Sequence, residues 1–183
     1  MILGAAPAAS ARPDPDPKKM VLQGRDLPQE FGAVLGRYVT NSQLAATTHT
    51  KNLAVLGRVS GYYAAYTAIA VGGLTVVESF ASLYEHDSGA RQSLELSVAE
   101  ETVNGGELVV PAARALAPLG PDARLLYTKL AQNGTKFDYY IVAWRDDRVF
   151  AEVRGAGRAG TIAPDDVIRL AKMQDAHIAK SID

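Results

Sequence analysis

Cysteine is absent from the 183 residues. Its absence removes disulfides, thiolate nucleophiles, iron–sulfur clusters and thiolate zinc sites together. Histidine is scarce: His49, His86 and His177 stand far apart, and none has a second ligand-type residue at a metal interval such as H-x-x-x-H. Neither a metal nor a cofactor is expected. An excess of one charge is missing too, with 19 Lys+Arg against 20 Asp+Glu and a net charge of −1. No overall field therefore recruits nucleic acid or an anionic membrane. No run reaches the ~18–20 apolar residues of a membrane span. G-x-S-x-G does not occur, and Ser60 lies within a strand pattern, away from any strand-to-helix elbow. The acidic pairs Glu100-Glu101, Asp146-Asp147 and Asp165-Asp166 are sequence neighbours in a helix, a turn and a helix start, so a glycosidase-type pair would need distant residues.

What is present describes a globular chain: 48% hydrophobic and 21% charged residues, in a length that supports one sizeable core. The N-terminus differs. Ile2 to Ala11 is small and apolar and ends in Ala9-Ser10-Ala11, the small-residue pattern of a signal-peptide cleavage site, without a basic n-region. It reads as a clipped leader or as a plain Ala/Pro-rich tail. Arg12 to Lys19 alternates proline with charge and predicts a stiff linker. Residues 1–20 are thus expected to be leader remnant and linker, and 21–183 a single α+β domain. Export to the periplasm or beyond is predicted, with the cytoplasm as the alternative.

Along the domain, Phe31, Val34, Leu35, Tyr38 and Val39 recur at helical spacing and predict a helix over Gln29 to Ala46. Alternation from Arg58 to Ile69 predicts a strand; Gly72-Gly73 turns the chain into a second strand, Leu74 to Leu83. Asp87 or Ser88 caps a helix with Ala90, Leu94 and Val98 on one face, ended by Asn104-Gly105-Gly106. Leu108 to Leu116 reads as a short strand. Arg124 to Gln132 and Lys136 to Arg145 flank the hairpin turn Asn133-Gly134, and Val149 to Arg154 returns after Asp146-Asp147. Pro164 opens a last helix, with Asp165 and Asp166 at the end where the dipole favours negative charge. Its buried stripe is Val167, Leu170, Ala171, Gln174, Ile178 and Ile182. The sum is an α+β fold: an antiparallel sheet of about six strands covered by helices, with the hairpin Tyr139 to Arg154 in its middle.

Gly155-Ala156-Gly157-Arg158-Ala159-Gly160 is a literal GxGxxG, yet the next helix starts four residues beyond it and no second parallel strand can follow. It reads as a flexible strand-to-helix connection. Asn133-Gly134-Thr135 matches a glycosylation acceptor, but the hairpin explains it fully. Two features suggest binding. By alternation, Arg58, Tyr62 and Tyr66 share one strand face; left open, that face offers stacking surfaces beside a cation. The competing reading packs both tyrosines under a helix with their hydroxyls reaching solvent. The second feature is the basic run Arg145, Arg148, Arg154 and Arg158, whose charge is offset by Asp146, Asp147 and Glu152, as on a solvated, ion-paired face. The candidate ligand-binding set is Arg58, Tyr62, Tyr66, Trp144 and Arg145.

Asp26-Leu27-Pro28-Gln29-Glu30-Phe31, Gly57-Arg58-Val59-Ser60-Gly61-Tyr62, Tyr140-Ile141-Val142-Ala143-Trp144-Arg145 and the terminal amphipathic helix resemble the skeleton of exported bacterial lipoprotein-type domains, some of them PsbP-like. The resemblance implies a helix-covered antiparallel sheet and a non-catalytic binding or assembly role at an envelope. It brings no functional residue set, and the chain lacks a lipobox cysteine. The leading expectation is a non-enzymatic exported domain that binds a protein or small molecule. The alternative is a carrier or cofactor-independent enzyme with Tyr62, Tyr66 and Trp144 around a cavity beneath a curved sheet. A self-associating structural subunit is a third class.

Overall fold

A computed structural model describes residues 14–47, 53–69, 72–110 and 115–182. Seven strands form one antiparallel sheet: β1 (Phe31–Tyr38), β2 (Arg58–Ala68), β3 (Leu74–Tyr84), β4 (Glu107–Val109), β5 (Arg124–Gln132), β6 (Thr135–Asp146) and β7 (Val149–Arg158). Their spatial order is β1-β2-β3-β7-β6-β5-β4. Two meanders, β1 to β3 and β4 to β7, thus join along the β3–β7 seam. The central position of β7 follows from its composition: it carries a core residue on nearly every position, and both faces are covered.

Helix α1 (Asn41–Thr47) is short; α2 (Asp87–Val103) crosses one face of the sheet, and α3 (Pro164–Ile182) covers the other. Under α3 lies the main core, with Trp144, Val142, Val153, Leu83, Leu170 and Ile178 all at most 2% exposed. The stripe predicted for α3 is the buried one, and its single polar member is accommodated by hydrogen bonds: the Gln174 amide donates to the Phe80 carbonyl (2.8 Å) and accepts from Ser79 Oγ (2.5 Å). Ser79 Oγ in turn accepts from the Leu22 backbone (2.9 Å). Under α2 a smaller cluster gathers Tyr84, Ala90, Leu94, Ala143 and Phe150.

The α+β class and antiparallel sheet are as expected, but the sheet has seven strands, because the segment expected as a helix over Gln29 to Ala46 is β1 followed by α1. A bulge between Ala33 and Leu35 produced the misleading spacing. Phe31 pairs with Ala68 and Tyr38 with Tyr62, so two residues seven apart face the same side, as they would on a helix. Of the short strand expected over Leu108 to Leu116, only Leu108 and Val109 belong to β4; Val110, Ala115 and Leu116 are not strand, and 111–114 lie outside the described residues. The N-cap position of α2 is His86, whose side chain makes no capping bond, and the expected caps Asp87 and Ser88 lie inside the helix.

Gly155 and Gly157 lie inside β7, so the glycine run is sheet where a loop was expected. A Cβ on Gly155 would collide with Val167 Cγ2 of α3, and one on Gly157 with the Gly73 carbonyl. These glycines exist to let α3 and the β2–β3 turn approach the sheet. The stretch expected as a linker is also engaged from Asp14 onward. Asp14 pairs with Arg148 (3.0 Å), Asp16 accepts from the Tyr38 hydroxyl (2.9 Å), and Pro17 to Lys19 form a 3-10 turn. Met20, Val21 and Leu22 then enter the main core. The leader-like residues 1–13 lie outside the described residues.

Candidate ligand-binding cleft

On the α2 side the sheet is only partly covered. Between α2 on one flank and β1 with α1 on the other lies an open cleft of about 550 Å³. Its floor is Tyr63, Glu78, Phe80, Phe150, Glu152 and Arg154, all on the face that alternation in β2, β3 and β7 directs toward α2. Leu96, Ser97 and Glu101 rise from α2, and Leu35 and Arg37 from β1.

One guanidinium organises the ionised end of the floor. Arg154 Nη2 pairs with Glu101 (2.7 Å) and its Nε with Glu152, whose other oxygen accepts from Ser97 Oγ (2.8 Å). Glu152, and after it Glu101 and Glu78, hold the Arg154 guanidinium above its ordinary pKa in spite of burial. Burial pushes the Glu101 carboxyl up, and Arg154 opposes that shift. Tyr63 and Tyr139 are raised chiefly by burial and then by the neighbouring Glu78. Over the whole lining, Glu78, Glu100, Glu101 and Glu152 stand against Arg37 and Arg154, an excess of two negative charges.

The five residues singled out from sequence are not brought together. A bulge between Arg58 and Ser60 turns Arg58 to the α2 face, away from Tyr62 and Tyr66. Those tyrosines lie on the α3 face beneath the N-terminal segment. The Tyr66 hydroxyl donates to the Leu22 carbonyl (2.7 Å) in the interior, where it was expected to reach solvent. Both border a smaller depression of about 300 Å³ beside β1. Trp144 is 0% exposed under α3, with its indole N–H on Asp175 (2.8 Å), and is core. Arg145 pairs with Asp122 (2.8 Å). The ion pairing predicted for the basic run is present, but Arg154 and Glu152 lie under α2 and are not a solvated face.

The floor residues passed unnoticed, although Glu152 and Arg154 two apart in a strand rich in apolar residues, and Glu78 within LTVVESFASL, do signal charge on a covered face. Of the histidines, His49 lies outside the described residues and His86 is exposed. His177 Nε2 meets Asp26 Oδ2 (3.0 Å), two members of a hydrolytic triad in outline. The nearby Ser181 hydroxyl bonds the His177 backbone carbonyl and not the imidazole, so no activated nucleophile results. Among the described residues no three His, Asp or Glu side chains converge as a metal site, and no helix is long and apolar enough to cross a membrane.

Fold and cleft together define a class: an antiparallel sheet with a helix on each face and one face left partly open. No family model matches the sequence, and no curated protein matches it. Among solved structures the chain is similar to the extracellular domain of PknH from Mycobacterium tuberculosis. The TM-score is 0.51 at 10% sequence identity, over 91% of this chain and 98% of that one. The likeness is one of fold.

Proposed function

We propose that this is an exported, non-catalytic binding domain whose α2-side cleft takes a small organic ligand carrying a positively charged group. The observation that carries the reading is the 550 Å³ cleft with an acidic, ion-paired floor and walls that mix Leu35, Leu44 and Leu96 with Arg37, Ser97 and Glu101. Clefts of this size, with convergent polar groups beside apolar ones, suit small molecules. The excess of carboxylates favours a cation. Binding is preferred over catalysis because Glu101 and Glu152 are both ion-paired to Arg154. Export rests on the likeness to an extracellular domain together with the leader-like N-terminus. The helix–sheet–helix layering also agrees with the PsbP-like, lipoprotein-type resemblance, which implies a non-catalytic role as well.

Thermal-shift measurements against matched sets of organic cations, neutral polyols and organic anions test the reading at low salt. Cations are expected to raise Tm, and Ser97→Trp, which fills the cleft from α2, to abolish the rise. A rise unaffected by Ser97→Trp, or none with any set, refutes it.

A further inference from the structure

Arg58 is 5% exposed, and among the described residues no carboxylate pairs with it. Its Nε donates to Ser82 Oγ (2.8 Å), and its Nη1 to the Val39 carbonyl (3.0 Å) and Asn41 Oδ1 (2.7 Å). Among the described residues its Nη2 has no hydrogen-bond partner. A buried guanidinium with an unused arm is costly unless something with negative charge completes it.

The position of that arm ties it to the cleft. A Cβ on Gly61 would collide with Nη2, so the arm lies over Gly61 on the α2 face. Along that face the Gly61–Ser82 pair is followed by Tyr63–Phe80 and then by Ala65–Glu78. Tyr63, Phe80 and Glu78 are cleft floor. Val39, which accepts from Nη1, and Ser93, whose hydroxyl bonds Tyr84 (2.7 Å), both line the cleft at this end. The α2 face of the sheet therefore runs from an uncompensated cation, buried just beyond the lining of the cleft, over an aromatic stretch, to a carboxylate cluster. Two strand pairs on one face separate the ends, roughly 13 Å at about 3.3 Å per residue.

We infer that the cleft's ligand is amphoteric, with a carboxylate on Arg58 Nη2, an apolar middle over Tyr63 and Phe80, and an ammonium on the Glu78–Glu101–Glu152 cluster. The inference rests on the cationic-ligand reading above and adds the anionic end. Nη2 is screened from solvent, so the carboxylate parts the Val39–Ser93 wall to reach it. Subtracting one hydrogen bond at each end leaves a span of about 7–8 Å between the ligand's charged groups.

Isothermal titration of the full chain with ω-aminobutanoate, ω-aminohexanoate and ω-aminooctanoate, beside hexylamine and octylamine, tests this. The hexanoate and octanoate are expected to bind about tenfold tighter than the short acid and than the amine of equal length, and Arg58→Gln to erase that advantage. Amines that bind as well as their carboxylated counterparts overturn the Arg58 end while the cleft reading stands; binding by no amine overturns both. An advantage that survives in folded Arg58→Gln places the carboxylate elsewhere and also overturns the inference. Should Arg58→Gln not fold, the length series on the native chain decides alone.

Discussion

Gln174 offers a sharp test of how polar groups hold this core. It is 0% exposed, and with Ser79 it links α3 and Leu22 of the N-terminal segment to β3 in one chain of hydrogen bonds. Gln174→Leu keeps most of the volume but removes the acceptor for the Ser79 hydroxyl and the donor to Phe80. A stranded buried hydroxyl costs about 1–3 kcal/mol and a lost net hydrogen bond about 1, so the variant should lose roughly 2–4 kcal/mol. That is a large part of the 5–15 kcal/mol expected for a domain. Ser79→Ala alone strands both the Leu22 N–H and the Gln174 carbonyl and should cost a similar amount. The double variant leaves no Ser79 hydroxyl and no Gln174 carbonyl to strand. Its cost should therefore fall short of the sum by about 1–3 kcal/mol. Urea unfolding followed by the fluorescence of Trp144, the sole tryptophan and itself fully buried, measures all three. Strict additivity, or a Gln174→Leu protein as stable as the native one, would show that these bonds contribute nothing, and the reasoning would be wrong.

Two further expectations concern pH and packing. Asp138 accepts from the Gly160 backbone (2.6 Å) and the Tyr127 hydroxyl (2.7 Å), in that order of effect, and its pKa is held below the ordinary aspartate value. Its ionised form therefore adds stability above the unfolded-state pKa, lost as pH falls through the lower folded value; Asp138→Asn should lower the urea midpoint near pH 7, by the equivalent of ~1 kcal/mol, with the gap closing as pH falls below the ordinary aspartate range. Gly155→Ala should cost about 1–3 kcal/mol because its methyl meets Val167 and Leu74. Gly32→Ala, with open space around it on β1, should stay near neutral in the same denaturation assay.

Where local chemistry and global fold agreed, the elements were legible. Asn133 and Gly134 both take positive φ, as the predicted hairpin turn requires, and β5 ends and begins where the turn signals place it. Helix α3 carried its dipole-matched start and its apolar stripe openly. Two of the failures share a cause. Bulges at Ala33/Leu35 and at Arg58/Ser60 each break the period of two, so β1 showed helical spacing and alternation put Arg58 on the wrong face. The cleft was hidden for another reason: Glu78, Glu101, Glu152 and Arg154 come from β3, α2 and β7, and only the β3–β7 seam and the α2 crossover make them neighbours.

That seam also orders the birth of the molecule. The central strand of the sheet is the last of its seven strands in sequence, and its partner β3 is made some seventy residues earlier. While the chain emerges, β1 to β3 can form a meander whose inner edge waits unpaired, and β4 to β6 a second one lacking its inner member. Neither half can close until Val149 to Arg158 arrives and pairs on both sides. Such late, non-local closure makes folding slow and leaves strand edges exposed meanwhile. A chain of this topology gains from being kept unfolded until β7 has been made.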